Sequence, residues 1–192
     1  MGVLAVFLVG FMGSGKSSVG HELARRLGWN FLDLDAHIES RERTSIAEIF
    51  RQKGESGFRM IETAALRNSI ASLMKSSVVA LGGGAFVQEA NRELIRGWPS
   101  VFLEGNIDEL WHRSSEEDTI RPLRKDRQQF DQLYEERLPF YRLATFTVQT
   151  SGKDVGSICQ EIERVLRSQR LATAGVPAQS PHCANSDRGG SL

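Results

Sequence analysis

The segment GFMGSGKS, residues 10–17, carries the residue types with the clearest chemistry in this sequence. It matches the pattern G-x-x-x-x-G-K-[ST] of phosphate-binding loops, or P-loops. Gly13 and Gly15 have no Cβ, so backbone N–H groups can turn toward an anion. Lys16 is expected to reach the terminal phosphates of a nucleotide, and the Ser17 hydroxyl to ligate Mg²⁺. The alternative is a glycine-rich strand–helix turn that binds nothing.

Two carboxylates, Asp33 and Asp35, follow this loop after one predicted helix. The segment NFLDLD, residues 30–35, is typical of a short strand, on which residues two apart point to the same side. Ligands bind at the carboxyl ends of strands in open α/β sheets. One carboxylate could hold a Mg²⁺-bound water there, and the other could accept the proton of an attacking hydroxyl. The alternative is an acid pair that caps the next helix.

Glycine and arginine residues further along the chain indicate a second, small ligand. Gly82, Gly83 and Gly84 directly follow an apolar segment and would let a small molecule lie against bare backbone. Arg59 and Arg137 could together bind a substrate carboxylate through charge-assisted hydrogen bonds. Either arginine taken alone could equally be a solvated surface charge.

The stretch 114–126 is almost entirely polar and lies between two predicted helices. This composition fits a mobile lid that keeps water away from a transferring phosphoryl group. Within it, Arg121 is the candidate for an arginine that meets the phosphates when the lid closes. The alternative is an ordinary charged surface loop.

Strands alternate with helices along the chain, which predicts an α/β fold with a parallel sheet covered by helices on both faces. The predicted strands lie at 3–9, 30–35, 77–81, 99–104 and 146–149. The predicted helices lie at 16–27, after the Ser45–Glu48 capping box, and at 55–72, 88–96, 106–113, 127–142 and 153–168. Because the last segment has little aliphatic content and is rich in Gly, Pro and Ser, we expect one domain over 1–170 and a disordered tail over 171–192.

The composition excludes several classes of protein. The 24 basic and 24 acidic residues give a net charge of zero, which argues against nucleic acid or an anionic membrane as the main partner. The apolar run at 3–9 is far shorter than the ~20 residues of a membrane helix, and no basic segment precedes it as in a signal peptide. The two cysteines form no metal-ligand spacing. We therefore expect a cytoplasmic monomer that binds small molecules.

Six short segments together resemble the shikimate kinase family in order and spacing, over about residues 3–168. They are FMGSGKSS, Asp33 with Asp35, GESGFRMIE around Arg59, LGGGA at 81–85, RPL at 121–123 and RLPFYR around Arg137. The resemblance implies a P-loop three-layer α/β/α fold like that of nucleoside monophosphate kinases, with strand order 2-3-1-4-5 and a mobile lid. It also implies transfer of the γ-phosphate of ATP to the 3-hydroxyl of shikimate, a step toward chorismate and the aromatic amino acids.

The same resemblance gives individual residues roles in substrate binding and catalysis. It implies that Asp35, Lys16 and Arg121 are catalytic, with the two cations stabilising charge on the transferring group. The residues implied to bind shikimate are Asp35, Arg59, Gly82, Gly83, Gly84 and Arg137.

Further roles implied by the resemblance concern the nucleotide and the metal. Ser17 would ligate Mg²⁺, and Asp33 would act on the ion through water. Arg113 and Lys153 would lie near the adenine. The full set implied to bind ATP is Gly13, Ser14, Gly15, Lys16, Ser17, Ser18, Arg113, Arg121 and Lys153. The sequence departs from the family pattern at Ser18, where threonine is commoner, and at Arg124, where leucine is usual.

Two functions other than phosphorylation of shikimate remain open for this sequence. Another small-molecule kinase of the same fold, such as a gluconate kinase, would share the P-loop, but Arg59 and Arg137 beside three glycines favour a cyclic carboxylate. A non-catalytic nucleotide-binding module that regulates a partner would be expected to have lost the loop lysine or the acid facing the acceptor. Lys16 and Asp35 are both present.

Overall fold

The computed structural model describes residues 4–116 and 126–174. Its strands are β1 Ala5–Val9, β2 Asn30–Asp33, β3 Ser77–Ala80, β4 Ser100–Glu104 and β5 Phe146–Gln149. They form one sheet in the order β2-β3-β1-β4-β5, and every neighbouring pair is parallel. The central strand β1 is buried at all of its positions, which is why its sequence is continuously apolar rather than alternating. The predicted sheet and its strand order are confirmed.

Helices cover both faces of the sheet. In the described part of the chain they are α1 Lys16–Leu27, α2 Leu34–Glu42, α3 Ile46–Ala71, α4 Glu89–Leu94, α5 Ile107–Glu116, α6 Arg127–Tyr141 and α7 Val155–Ala174, with a 3₁₀ turn at Ala85–Val87. Val6 and Leu8 of β1 pack with residues of α1 and α7 on one face. Phe7 and Val9 pack on the other face with residues of α2, α3, α5 and α6.

Local sequence signals account for the helix ends. Helix α1 follows Gly15 and ends at Gly28, both in the left-handed region of backbone space, with φ of 81° and 66°. The predicted capping box is present at the start of α3, where the Ser45 hydroxyl accepts a hydrogen bond from the Glu48 N–H at 3.2 Å. Gly54, with φ 68° and ψ −179°, interrupts α3, so residues 46–53 and 55–71 are two helical segments.

Some boundaries differ from the sequence-based prediction. Strand β2 ends at Asp33, and Asp35 lies in the first turn of α2. Helix α5 includes 114–116 of the predicted lid, while 117–125, and with them Arg121, lie outside the described residues. Helix α7 runs to Ala174, across the predicted start of the tail, and 175–192 lie outside the described residues. None of the helices described has the length and apolar composition needed to cross a membrane.

Candidate active site

The strand order places the candidate residues on two sides of one loop. Because all strands are parallel, their carboxyl ends lie at the same edge of the sheet, where open α/β sheets bind ligands. The loop 10–15 follows the central strand β1. The acids at 33 and 35 and the glycines at 82–84 follow β2 and β3 on one side. The segments with Arg113 and Lys153 follow β4 and β5 on the other side.

The loop 10–15 joins β1 to α1 and contains three glycines with positive φ, at positions 10, 13 and 15. Gly13 has φ 76°, and a Cβ there would stand 2.5 Å from the carbonyl oxygen of Leu110, so only glycine fits this close approach of the loop to α5. Lys16 Nζ donates to the carbonyl oxygens of Gly10 at 3.0 Å and Phe11 at 2.9 Å. The cation therefore lies against the loop at the positive end of α1, as a phosphate-binding loop requires.

Ser17 and Asp33 meet where α1 and α2 begin. The Ser17 hydroxyl donates to Asp33 Oδ2 at 2.6 Å. The other carboxylate oxygen of Asp33 accepts from the N–H groups of Asp35 at 3.0 Å and Ala36 at 3.3 Å, so Asp33 is the N-cap of α2. Two oxygen donors of the kind that Mg²⁺ prefers thus lie together beside the phosphate loop.

The expectation that Asp33 and Asp35 point the same way from one strand is wrong. Capping by Asp33 ends β2 and starts α2, which turns Asp35 away from the strand direction. Asp35 faces the glycine segment instead, because a Cβ on Gly82 would stand 2.4 Å from Asp35 Oδ1. The two acids therefore face different parts of the site.

Arg59 lies beside the third glycine of the segment. Its Nη1 is 2.8 Å from Glu62 Oε2 and its Nη2 is 3.1 Å from Glu55 Oε1. A Cβ on Gly84 would stand 2.3 Å from Arg59 Nη2. Burial acts to lower the pKa of Arg59, but the two glutamates outweigh it and hold the pKa above its ordinary value. Arg59 is not a solvated surface charge, because its side chain is only 13% exposed.

Arg137 lies beside the second glycine. It is 7% exposed, and its Nη1 is 3.6 Å from the point where a Cβ of Gly83 would stand. Its guanidinium also lies over the ring of Phe11, 5.9 Å from the ring centroid. The structure therefore brings Arg137 and Arg59, which come from different helices, to neighbouring glycines. The predicted pairing of these two arginines fits this geometry.

Glu62 was not among the site residues predicted from the sequence. It pairs with Arg59 and lies near Gly82. It is 1% exposed, and its Oε1 has no hydrogen-bond partner among the described residues. Burial raises the pKa of Glu62, the Arg59 cation opposes this, and the nearby Asp35 carboxylate adds to the rise. The i,i+3 spacing from Arg59 on a helix was the available signal for this ion pair.

The predicted nucleotide contacts lie around the loop and beyond β4 and β5. Ser14 is buried, while Ser17 and Ser18 are exposed on the first turn of α1. Arg113 Nη2 is 2.8 Å from Glu109 Oε2, and Lys153 Nζ is 2.6 Å from Glu161 Oε2. Both adenine candidates therefore have acidic partners in this structure, and their role toward a nucleotide stays a prediction.

A phosphate loop at the centre of a parallel 2-3-1-4-5 sheet, with an acid, the buried Arg137 and the partly buried Arg59 beside it, defines a P-loop kinase for a small anionic acceptor. The family model "Shikimate kinase" matches residues 12–167. The shikimate kinase of Ruegeria pomeroyi is 43% identical over 174 residues, which are 88% of this chain and 85% of that protein. This chain belongs to the shikimate kinase family.

Solved structures agree with this assignment. Shikimate kinase from Acinetobacter baumannii in complex with shikimate has 36% sequence identity and a TM-score of 0.81, covering 88% of this chain and 96% of that one. A gluconokinase from Sinorhizobium meliloti has a TM-score of 0.62 but only 22% identity, over 90% of this chain and 98% of that one, and so shares the fold alone. As a member of the family, this chain is an ATP-dependent transferase that phosphorylates shikimate on the way to the aromatic amino acids.

Proposed function

We propose that this chain transfers the γ-phosphate of ATP to the 3-hydroxyl of shikimate at the glycine segment 82–84. The observation that supports this most is the arrangement of charges along that segment. Asp35 lies beside Gly82, while the buried Arg137 lies beside Gly83 and the partly buried Arg59 lies beside Gly84. A hydroxyl at one end and a carboxylate at the other end of a small ring match this order, in which Asp35 lies at one end of the segment and the two cations follow.

In this proposal the two arginines bind the carboxylate of shikimate. Guanidinium groups form short, charge-assisted hydrogen bonds with carboxylates, and two of them fix the orientation of the ring. The bare backbone of the three glycines lets the ring approach closely. Asp35 then accepts the proton of the attacking hydroxyl, the role of the acid in kinase catalysis.

The phosphates of ATP would bind in the loop 10–15, at the N-terminus of α1. Lys16 would exchange its two carbonyl partners for phosphate oxygens and stabilise charge on the transferring group. Arg121 is proposed to do the same from the lid over 114–126. We place the adenine on the side of β4 and β5, near Arg113 and Lys153, with Gly13, Ser14, Gly15 and Ser18 completing the nucleotide site.

Mg²⁺ is the cofactor that we propose for this site. The described residues contain no cluster of three or more His, Cys, Asp or Glu side chains that could hold a metal ion by themselves. Ser17 and Asp33 can supply two hard oxygen donors, and the remaining ligands of a Mg²⁺–ATP site come from phosphates and water. When bound, the ion neutralises charge on the phosphates.

The expected setting of the enzyme is the cytoplasm, where ATP is available. We also expect a monomer. Residues 1–170 are proposed as the kinase domain and 171–192 as a tail outside it. Size-exclusion chromatography with light scattering tests the monomer, and a chain truncated after Arg170 should keep full activity.

Asp35→Asn tests the proposed base. Shikimate-dependent ADP release should be lost, while ATP binding measured by calorimetry should persist. Glu89→Gln, which removes an exposed carboxylate from α4, is the matched control and should behave as the wild type. Wild-type activity in Asp35→Asn would remove Asp35 from the mechanism.

The acceptor is tested against the two alternative functions. ADP release with shikimate and none with gluconate is the expected result. Turnover with gluconate alone would favour the gluconate kinase alternative. ATP binding without transfer to either acceptor would favour a regulatory module.

A further inference from the structure

Side chains from two helices hold the backbone at and after the glycine segment. The Tyr141 hydroxyl of α6 donates to the carbonyl oxygen of Gly83. From α4, Asn91 Nδ2 donates to the carbonyl of Ala85 at 2.9 Å. Arg92 Nη1 donates to the next two carbonyls at 2.8 and 2.6 Å. The contacts from α4 fix the 3₁₀ turn, while Tyr141 fixes the peptide on which shikimate is proposed to lie.

Tyr141 also lies near Arg137. The two residues are four apart on α6 and therefore lie on the same helix face. The Arg137 cation is close enough to the Tyr141 hydroxyl to oppose the rise in the pKa of Tyr141, and Arg137 lies next to Gly83, as described above. The Tyr141 hydroxyl, the Arg137 cation and the Gly83 peptide thus lie together at one point of the site.

The surroundings of Tyr141 keep this hydroxyl in place and protonated. The side chain is fully buried, and its ring stacks on Phe102 with centroids 5.3 Å apart and an interplanar angle of 28°. Burial raises the pKa of Tyr141 to about 12, although the Arg137 cation acts in the opposite direction. The hydroxyl therefore keeps the proton that it donates to the Gly83 carbonyl at neutral pH.

We propose that Tyr141 is a positioning residue for shikimate binding: its hydroxyl holds the Gly83 peptide in one fixed arrangement beside the Arg137 guanidinium before the substrate arrives. Glycine has the greatest backbone freedom of any residue, so an untethered Gly83 peptide would have to be ordered at the expense of affinity. This inference rests on the proposed binding of shikimate at the glycine segment. In this proposal Tyr141 does not contact ATP.

Tyr141→Phe tests the inference, because it removes one oxygen atom and keeps the ring that stacks on Phe102. The Michaelis constant for shikimate should rise about tenfold, the effect of losing one hydrogen bond of ordinary strength. The Michaelis constant for ATP should not change, and kcat should stay within about threefold. Tyr134→Phe is the matched control, since Tyr134 lies two turns earlier on α6 and its hydroxyl is 3.5 Å from the Gly105 carbonyl. This control should leave both constants unchanged.

A double-mutant cycle with Arg137→Lys shows whether Tyr141 acts through Arg137. If it does, Tyr141→Phe should raise the Michaelis constant for shikimate less than threefold in the Arg137→Lys background. Full additivity of the two effects would overturn the coupling. An equal rise of the constants for shikimate and ATP would show a general structural defect and would also overturn the inference.

Ligand-induced thermal shifts provide a second measurement that needs no turnover. In Tyr141→Phe the rise in Tm caused by shikimate should shrink, while the rise caused by ATP should equal that of the wild type. Equal shikimate shifts in the two proteins would contradict the positioning role. A wild-type enzyme that releases no ADP with shikimate would instead contradict the proposed function, so the two failures are distinguishable.

Discussion

Replacing Gly84 with alanine tests the position of Arg59 in the site. The backbone at Gly84, with φ −105° and ψ −10°, is open to alanine, so the effect comes from the added methyl group. That methyl would stand 2.3 Å from Arg59 Nη2 and 2.5 Å from Nη1, whereas ordinary contacts begin at 3.4 Å. The guanidinium must therefore move by about 1 Å, which a flexible side chain can do without disrupting the fold.

The displacement affects both catalysis and stability. A misplacement of about 1 Å in a substrate-positioning group lowers kcat/KM about 100-fold, and we expect this loss for shikimate. Moving Arg59 also weakens its 2.8 Å ion pair with the buried Glu62. The loss of a charged hydrogen bond lowers the free energy of unfolding by about 1.5–3 kcal/mol. The Michaelis constant for ATP should not change, because the phosphate loop belongs to another segment.

A coupled assay of ADP release gives kcat/KM, and urea unfolding at equilibrium gives the free energy of unfolding. Gly84→Ala is compared in the wild type and in an Arg59→Ala background, where no guanidinium remains to be displaced. We expect little further loss of kcat/KM or of unfolding free energy in that background. A wild-type kcat/KM for shikimate in Gly84→Ala would refute the reasoning. An equal loss in both backgrounds would show that the methyl group does not act through Arg59.

Three further changes test other parts of the site and the fold. Asp33→Asn should keep the unfolding free energy within about 0.5 kcal/mol of the wild type, because asparagine caps helices as well as aspartate does. The Mg²⁺ concentration that gives half the maximal rate should rise about tenfold or more in this variant. Since burial raises the pKa of Glu62, the folded state keeps a proton that the unfolded state loses. The wild type should therefore lose stability relative to Glu62→Gln as pH rises above the ordinary pKa of a glutamate carboxyl. Gly20→Ala places a methyl 2.2 Å from the Phe31 ring and should lower the unfolding free energy by about 1–3 kcal/mol, measured in urea, without changing kcat.

Each of these three expectations has a contrary result. An unchanged Mg²⁺ dependence in Asp33→Asn would separate that acid from the metal. A wild type that gains stability over Glu62→Gln with rising pH would reverse the sign assigned to Glu62. Wild-type stability in Gly20→Ala would mean that the contact between α1 and β2 relaxes at no cost.

The fold was predictable where local signals are strong and consistent. Helix α1 occupies the predicted residues 16–27 because glycines define both of its ends. The continuous apolar run in β1 indicated a central buried strand, and the order of the strands followed from the resemblance to the family. The helix predicted to begin at residue 55 also agrees with the structure. Gly54, which has a positive φ, divides α3 immediately before that residue.

The site was predictable in its residue types but not in all of its geometry. The segment DLD fits both strand alternation and helix capping, and the hydrogen bond from Ser17 helps hold Asp33 in the capping position. Arg59 is three residues from Glu62 on the same helix, but Asp35, which adds to the rise in the pKa of Glu62, lies on another helix and is distant in sequence. The contact between Tyr141 and Gly83 joins residues 58 apart in the chain, so no local pattern reveals it.

The central claim is tested most directly by the product formed from ATP and shikimate. With Mg²⁺ present, one ADP should be released for each shikimate consumed, and phosphorus NMR should show the new phosphate ester on the 3-hydroxyl. Omitting shikimate or replacing it with gluconate should stop ADP release. ADP release that is independent of shikimate, or a phosphate on another hydroxyl, would contradict the account.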